Sequence, residues 1–282
     1  MTAYVGCALA ETRSQEGLSA ACAAWNWLIA ESSLHGPGLG YCSSGPQDAD
    51  STTWGLRLAE VIGRSADEFA TRAFRHLISY MQPDGGVATF AAADIQRIGL
   101  GDSPDAVVGW TGSHNCVTST VAWLRELSRR SDLHRFLVRT QEPAGFWRAY
   151  WWADYEYATA HAIESFQRIG GQHDATEQAL RWLRQNRRSA SPFALALRLL
   201  GMSAAKVPEA DAALQELLEL QLPDGSWPSS ARMQIPPPYV KNPQTQWNWD
   251  ERGESIGSII VDRKRIFTTA TAVRAISAWL IE

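Results

Sequence analysis

Two segments of the chain, Gln141-Glu142-Pro143-Ala144-Gly145-Phe146-Trp147 and Gln221-Leu222-Pro223-Asp224-Gly225-Ser226-Trp227, share the pattern Q-x-P-x-G-x-W. A degenerate third copy, Met81-Gln82-Pro83-Asp84-Gly85-Gly86-Val87, aligns on its Pro and Gly and has lost the Trp. Each copy follows an amphipathic helical pattern (67–80, 133–140, 210–220). Each then leads through a loop to a second helical run richer in small and apolar residues (116–127, 155–169, 267–280). Residues 17–31 with 51–62, and 175–185 with 192–200, make two more pairs without the motif, and 4–9 supplies a lone apolar run. Apolar residues recur at three and four rather than at two, so strand signals are nearly absent. Repeated pairs of one amphipathic and one apolar helix predict an all-α fold. The expected form is an α/α-barrel of five to six helix hairpins, with outer helices facing water and inner helices buried on both sides. Residues 1–282 read as one such domain, with 228–265 as a lid loop too rich in aromatics for a free linker. In the repeats, Pro and Gly turn the chain, the Gln amide meets freed backbone groups, and the Trp packs over the turn.

Composition narrows the functions. A net charge of −4 over 282 residues argues against nucleic acid or an anionic membrane surface as the main partner. Cys7, Cys22, Cys42 and Cys116 lack C-x-x-C spacing and are too few for a disulfide scaffold, which fits a reduced, cytoplasmic setting. Neither a signal peptide nor a membrane span is expected. Thirteen tryptophans are the outlying count, and aromatics at that density line an apolar cavity or pin repeated loops.

Gln47-Asp48-Ala49-Asp50-Ser51-Thr52-Thr53-Trp54 sets two carboxylates and a hydroxyl run where a loop becomes a helix. Capping alone would select such residues. The same residues could also hold an acid, one carboxyl keeping its proton because its neighbour repels a second negative charge.

The repeats resemble the QW motifs of the squalene–hopene cyclase and class II terpene cyclase superfamily, whose domains are α/α-barrels. Gln47–Trp54 is similar to its DxDD motif, and closer to the DxDTT variant of some sesquiterpene cyclases. The resemblance implies that Asp50 is the proton donor of a carbocation cyclisation, with Asp48 and Ser51 completing the motif. Ser51 stands where DxDD has its last Asp. Cyclases of this class usually set the site between two barrels, whereas this chain has residues for one.

Inner helices that run parallel open their N-termini at one end of the barrel. That geometry gathers Asp48, Asp50, Ser51, His114, Asp154, Glu156, Tyr157, Phe193 and Phe267 at a mouth. Aromatics in the same loops include Trp54, Trp110, Trp147, Trp151 and Trp152. Acids over an aromatic-lined cavity suit an apolar substrate protonated at one end, with π faces stabilising positive charge. The expected activity is acid-initiated cyclisation of an isoprenoid or other polyene chain. The alternatives are an acid-catalysed cyclase or isomerase of a non-terpenoid natural product, and a non-catalytic barrel binding an apolar ligand or partner subunit. His114-x-Cys116 with His161 resembles, at a distance, the zinc site of protein prenyltransferase β subunits, but the Asp-x-Cys spacing is absent and no metal site is expected. No cofactor is expected either, magnesium entering only with a diphosphate substrate. A small isoprenoid-like molecule is the expected partner, and a homodimer, a second barrel subunit and peripheral membrane contact stay open.

Overall fold

The computed structural model describes residues 1–42, 45–101, 103–186 and 191–281. Its helices run α1 (Thr2–Glu11), α2 (Gln15–His35), α3 (Ala49–Val61), α4 (Glu68–Ile78), α5 (Ala92–Arg97), α6 (Asn115–Ala122), α7 (Ser131–Thr140), α8 (Glu156–Arg168), α9 (His173–Gln185), α10 (Pro192–Ala204), α11 (Ala210–Glu219) and α12 (Ile266–Leu280). Among the described residues, α1, α3, α6, α8, α10 and α12 each pack against the next, and α12 returns to α1 to close a ring. Helices α2, α4, α7, α9 and α11 pack outside that ring, each against one or two of its members. This is the all-α double-ring barrel that the paired helical patterns predict, with α1 as the sixth inner helix.

The two layers follow from residue pattern. In α4, Phe69, Ala70, Ala73 and Leu77 are buried along one stripe, and in α7 Leu133, Phe136 and Leu137 do the same. Inner α10 buries every residue from Pro192 to Ser203, so it must have neighbours on all sides. Capping fixes the starts: the Ser14 side chain accepts from Gly17 N–H, and that of Ser191 from Ala194 N–H ahead of Pro192.

The repeated motif is a turn device. The Gln141 amide donates to Gly145 O and Ala175 O at 2.8 Å each, and the Trp147 indole N–H donates to Leu137 O at 2.7 Å. The second copy repeats this, with Gln221 bonded to Gly225 O at 3.0 Å and Trp227 to Leu217 O at 2.7 Å. Gly145 has φ of +102°, and a Cβ there would meet Gln178 O at 2.3 Å, so no other residue fits this turn. The third copy keeps the backbone bond from Gln82 N–H to Gly86 O, with Val87 fully buried where the tryptophan would lie.

Among the described residues the one paired set of strands lies in segment 228–265, a short antiparallel hairpin. Strand β1 (Arg232–Ile235) pairs with β2 (Ser258–Val261), Arg232 opposite Val261. Four-residue strands show too little alternation to register as a period. The segment is docked. It accepts from Trp110 Nε1 at Pro236 O (2.9 Å) and from the Tyr150 hydroxyl at Val240 O (2.7 Å), and the Gln234 N–H donates to Trp151 O at 2.9 Å.

The barrel axis is plugged by charge. Arg274 pairs with Glu11 (2.9 Å) and Glu164 (2.6 Å), and Glu164 also accepts from His161 Nδ1 (2.6 Å) and faces Arg57 at 3.6 Å. Arg57 lies between the Trp54 ring (4.5 Å) and the Trp123 ring (4.1 Å). Burial alone would raise the Glu164 pKa, but Arg274 and Arg57 outweigh it and hold the carboxyl well below its usual range.

Two stability predictions follow from this packing. Trp227→Ala removes a buried indole and should cost about 3–5 kcal/mol in chemical denaturation, whereas Trp247→Ala, at an 89% exposed residue, should leave the midpoint unchanged. Glu164→Gln leaves two buried guanidiniums undercompensated, and the same measurement should show a loss of about 3–5 kcal/mol.

Candidate active site

Asp48 and Asp50 divide the work of a helix start. Asp48 is the N-cap of α3, its Oδ1 accepting from Ser51 N–H at 2.6 Å. The loop before it is stitched down by Asp48 N–H to Leu39 O (2.9 Å), Ala49 N–H to Thr89 O (2.8 Å) and Leu39 N–H to the Thr52 hydroxyl (3.0 Å). Asp50 follows in the first turn, where the helix dipole favours the carboxylate. The environment overrides that preference. Its Oδ1 is sealed from solvent with no hydrogen-bond partner, and burial, then the charge of Asp48, push its pKa to about 7. Asp48 rises less, to about 6: burial raises it, and the bonds from Ser51 pull it back. The bond from Ser51 N–H favours the negative charge on Asp48, and a charge there favours the proton on Asp50.

Below Asp50 the aromatics form a closed ring. Trp54 stands edge-on to Tyr4 at 4.4 Å, Tyr4 stacks on Phe267 at 4.1 Å, and Phe267 meets Trp152 at 4.8 Å. Trp152 stacks on Tyr157 at 4.8 Å, and the Tyr157 hydroxyl accepts from Trp54 Nε1 at 3.1 Å. Four of these rings, Tyr4, Trp54, Trp152 and Phe267, line a cavity of about 800 Å³ together with Asp50 and Ser51. The cavity then passes over the N-terminus of α1 to Trp27, Leu28 and Glu31 on outer helix α2, and under Ile260–Lys264.

The residues expected at the mouth separate into groups. Asp50, Ser51, Trp54, Trp152 and Phe267 reach the cavity wall. Tyr157 completes the aromatic ring behind it, Phe193 packs on Trp152 at 5.1 Å, and Asp48 backs Asp50. Trp110, His114, Trp147, Trp151, Asp154 and Glu156 lie away from the wall. Trp147 serves the repeat turn, as its match to Trp227 requires. Trp110 and Trp151 lie beneath segment 228–265, bonding Pro236 O and the Thr89 hydroxyl. His114 bonds the Thr89 hydroxyl through Nδ1 (2.7 Å) and Gly109 O through Nε2 (2.8 Å), and burial lowers its pKa to about 4. Both of its nitrogens are thus occupied by protein atoms. Among the described residues no three His, Cys, Asp or Glu side chains cluster as a metal site. Glu156 meets Asn186 at 3.2 Å, and burial raises it to about 7 and Asp154 to about 6.

The helix N-termini do converge. Residues 230–236 alone touch the starts of α12 (Thr268), α10 (Phe193) and the loops before α8 (Trp151) and α6 (Trp110). That contact covers the α6 and α8 side, so the cavity opens on the opposite side, over α1 and α2. The missed wall residues Tyr4, Trp27, Leu28 and Glu31 are on that side. Their one sequence signal was length: α2 has 21 residues against 10–13 in the other outer helices, about 31 Å, so it overshoots the ring.

No protein-family model matches the chain, and no curated protein matches it. Solved structures do. The type II terpene cyclase MstE from Scytonema is 37% identical, over 98% of this chain and 86% of its own, with a TM-score of 0.88. Variants of MstE have been solved with geranylgeranyl dihydroxybenzoate as substrate and merosterolic acid A as product. A protein from Actinoplanes is 35% identical over 99% of this chain and 89% of its own, at a TM-score of 0.88. The ent-copalyl diphosphate synthase of Streptomyces platensis, 16% identical with a TM-score of 0.62 and matched over 50% of its length, shares the fold alone. With that identity to MstE along nearly its whole length, and an all-α barrel of the same shape, the chain belongs to the type II terpene cyclases, enzymes of acid-initiated polyene cyclisation.

Proposed function

We propose that this protein cyclises a prenyl-chain compound with Asp50 as the proton donor. The observation that carries the assignment is the Asp50 carboxyl, half-buried with one oxygen sealed and unpartnered and pushed to about 7, on the wall of a cavity ringed by Tyr4, Trp54, Trp152 and Phe267. In this reading the Asp50 O–H adds its proton to the less substituted carbon of the terminal alkene, giving a tertiary cation. The remaining double bonds attack in turn to close rings, and loss of a proton elsewhere ends the sequence. The product is an isomer of the substrate, and Asp50 recovers its proton from water. The aromatic faces stabilise the migrating charge without offering a nucleophile that would trap it. Asp48 is a positioning residue, holding the helix start and, by its charge, the proton on Asp50.

The substrate we favour has a polyprenyl tail and a polar head, as the MstE substrate geranylgeranyl dihydroxybenzoate does. A cavity of about 800 Å³ is within the usual range for ligands of that size. One barrel suffices on this reading, since every residue invoked lies in this chain, and segment 228–265 acts as the cover on the α6 and α8 side. The proton comes from a side chain, so no metal is assigned to the step.

Asp50→Asn tests the donor directly. Asn keeps size and helix-start geometry, so the melting temperature should hold while turnover falls by about 10⁴-fold or more, the upper end for one general acid. Substantial residual turnover would refute the assignment. The pH profile tests the protonation state. The working form carries the proton, so kcat/KM should fall as pH rises through about 7. Asp48→Asn removes the repelling charge and should move that limb to lower pH, whereas a merely structural Asp48 would leave it in place.

A further inference from the structure

The cavity wall carries four carboxylates, and three are accounted for. Asp50 is the acid. Glu254 pairs with Arg263 at 3.4 Å, and Asp262 accepts from Thr268 N–H at 2.7 Å to hold the start of α12. Glu31 is the fourth. Among the described residues it makes no ion pair or hydrogen bond, although it is only partly exposed and lines the cavity.

Its position is a product of the fold. An outer helix of ordinary length would stop short of the mouth, but α2 runs 21 residues antiparallel to α1 and α3 and rises past their N-termini. Trp27, Leu28 and Glu31 then share one helix face at spacings of three and four, and all three border the cavity. Asp50 is in the inner arm, with Tyr4, Trp54 and Phe267, and Glu31 in the outer arm. The cavity thus has an acid toward one end and an unengaged carboxylate toward the other.

Cyclisation needs that polarity. The cation is born beside Asp50 and moves along the chain away from the protonated carbon with each ring closure, so it ends nearer the head of the substrate. On the proposed reading, with the prenyl tail in the inner arm, the last cation arrives in the outer arm. We propose that Glu31 is the catalytic base that ends the reaction. A C–H bond beside the final cationic carbon breaks, its electron pair becomes the new C=C, and the proton goes to a Glu31 carboxylate oxygen. Glu31 returns that proton to water at the open mouth while Asp50 takes one up, so atoms and charge balance and the net reaction is an isomerisation. The carboxylate also attracts the cation electrostatically before deprotonation.

The inference rests on the assignment of Asp50 as donor, and the experiment separates the two. Unaltered protein, Glu31→Gln, Glu31→Asp and Asp50→Asn are each given geranylgeranyl dihydroxybenzoate in D2O, and products are resolved by mass spectrometry and NMR. Circular dichroism melts confirm the fold of each. Glu31→Gln should lower formation of the normal alkene by about 10²-fold or more, the scale of one general base. In its place should come double-bond isomers, partly cyclised skeletons or water-trapped alcohols. Those products should still carry deuterium at the first protonated carbon, and Glu31→Asp should restore the normal product. Asp50→Asn should give no deuterated product. An unchanged product distribution and rate in Glu31→Gln overturns the inference and spares the donor, as does loss of deuterium incorporation from folded Glu31→Gln, which would place Glu31 before protonation. No turnover by the unaltered protein overturns the reading of the site, and the inference with it.

Discussion

The hydrogen bond from Ser51 N–H to Asp48 Oδ1 is the contact on which the rest of the site depends. A helix start offers free N–H groups, and any carboxylate that takes them becomes a stronger acid and loses its proton. Asp48 takes that role. Asp50 is then left in the same turn with burial and a neighbouring negative charge as its dominant influences, and both favour the protonated form. Two residues of one type, two positions apart, are driven to different jobs by which of them caps the helix.

Burial of that kind has to be built. The ring of inner helices supplies it from below: Trp54 and Tyr4 close the barrel one turn beneath the acid, and the Arg57, Glu164, Arg274 and Glu11 cluster fills the axis beneath them. Such a cluster is weak as a source of stability, because desolvation offsets much of the attraction. Its consequence here is positional. Arg57 is held against the Trp54 ring, and the packed layer of paired charges fills the axis under the aromatic one.

The mouth is asymmetric because one loop is long and one helix is long. Segment 228–265 lies across the loops preceding α6 and α8, bonded by Trp110, Tyr150 and Gln234, and of those loops Trp152 reaches the cavity while Trp110 and Trp151 are held beneath the segment. On the other side α2 overshoots, adding Trp27, Leu28 and Glu31 to the wall. An arrangement that begins as a near-symmetric toroid thereby acquires a cavity that reaches from the inner ring to one outer helix.

Much of this was legible in the residues. The Q-x-P-x-G-x-W turns and the alternation of striped and wholly apolar helices are local, periodic signals, and they were enough to read an α/α-barrel and its helix pairs. The helix start that Asp48 caps was legible too, since capping chemistry and the closeness of Asp48 to Asp50 are properties of eight consecutive residues. What the residues could not contain was the balance at Asp50, where the helix dipole and burial oppose each other and only the depth of the carboxyl decides the sign. Nor could they say which loops face the cavity. Trp147 and Trp152 are five residues apart in one aromatic run, yet one pins a repeat turn and the other lines the pocket. His114 begins an inner helix as Asp50 does, yet both its nitrogens are spent on Thr89 and Gly109. A helix period says which face is buried. What lies against that face depends on contacts between residues far apart in the chain, and only the closed ring brings those together.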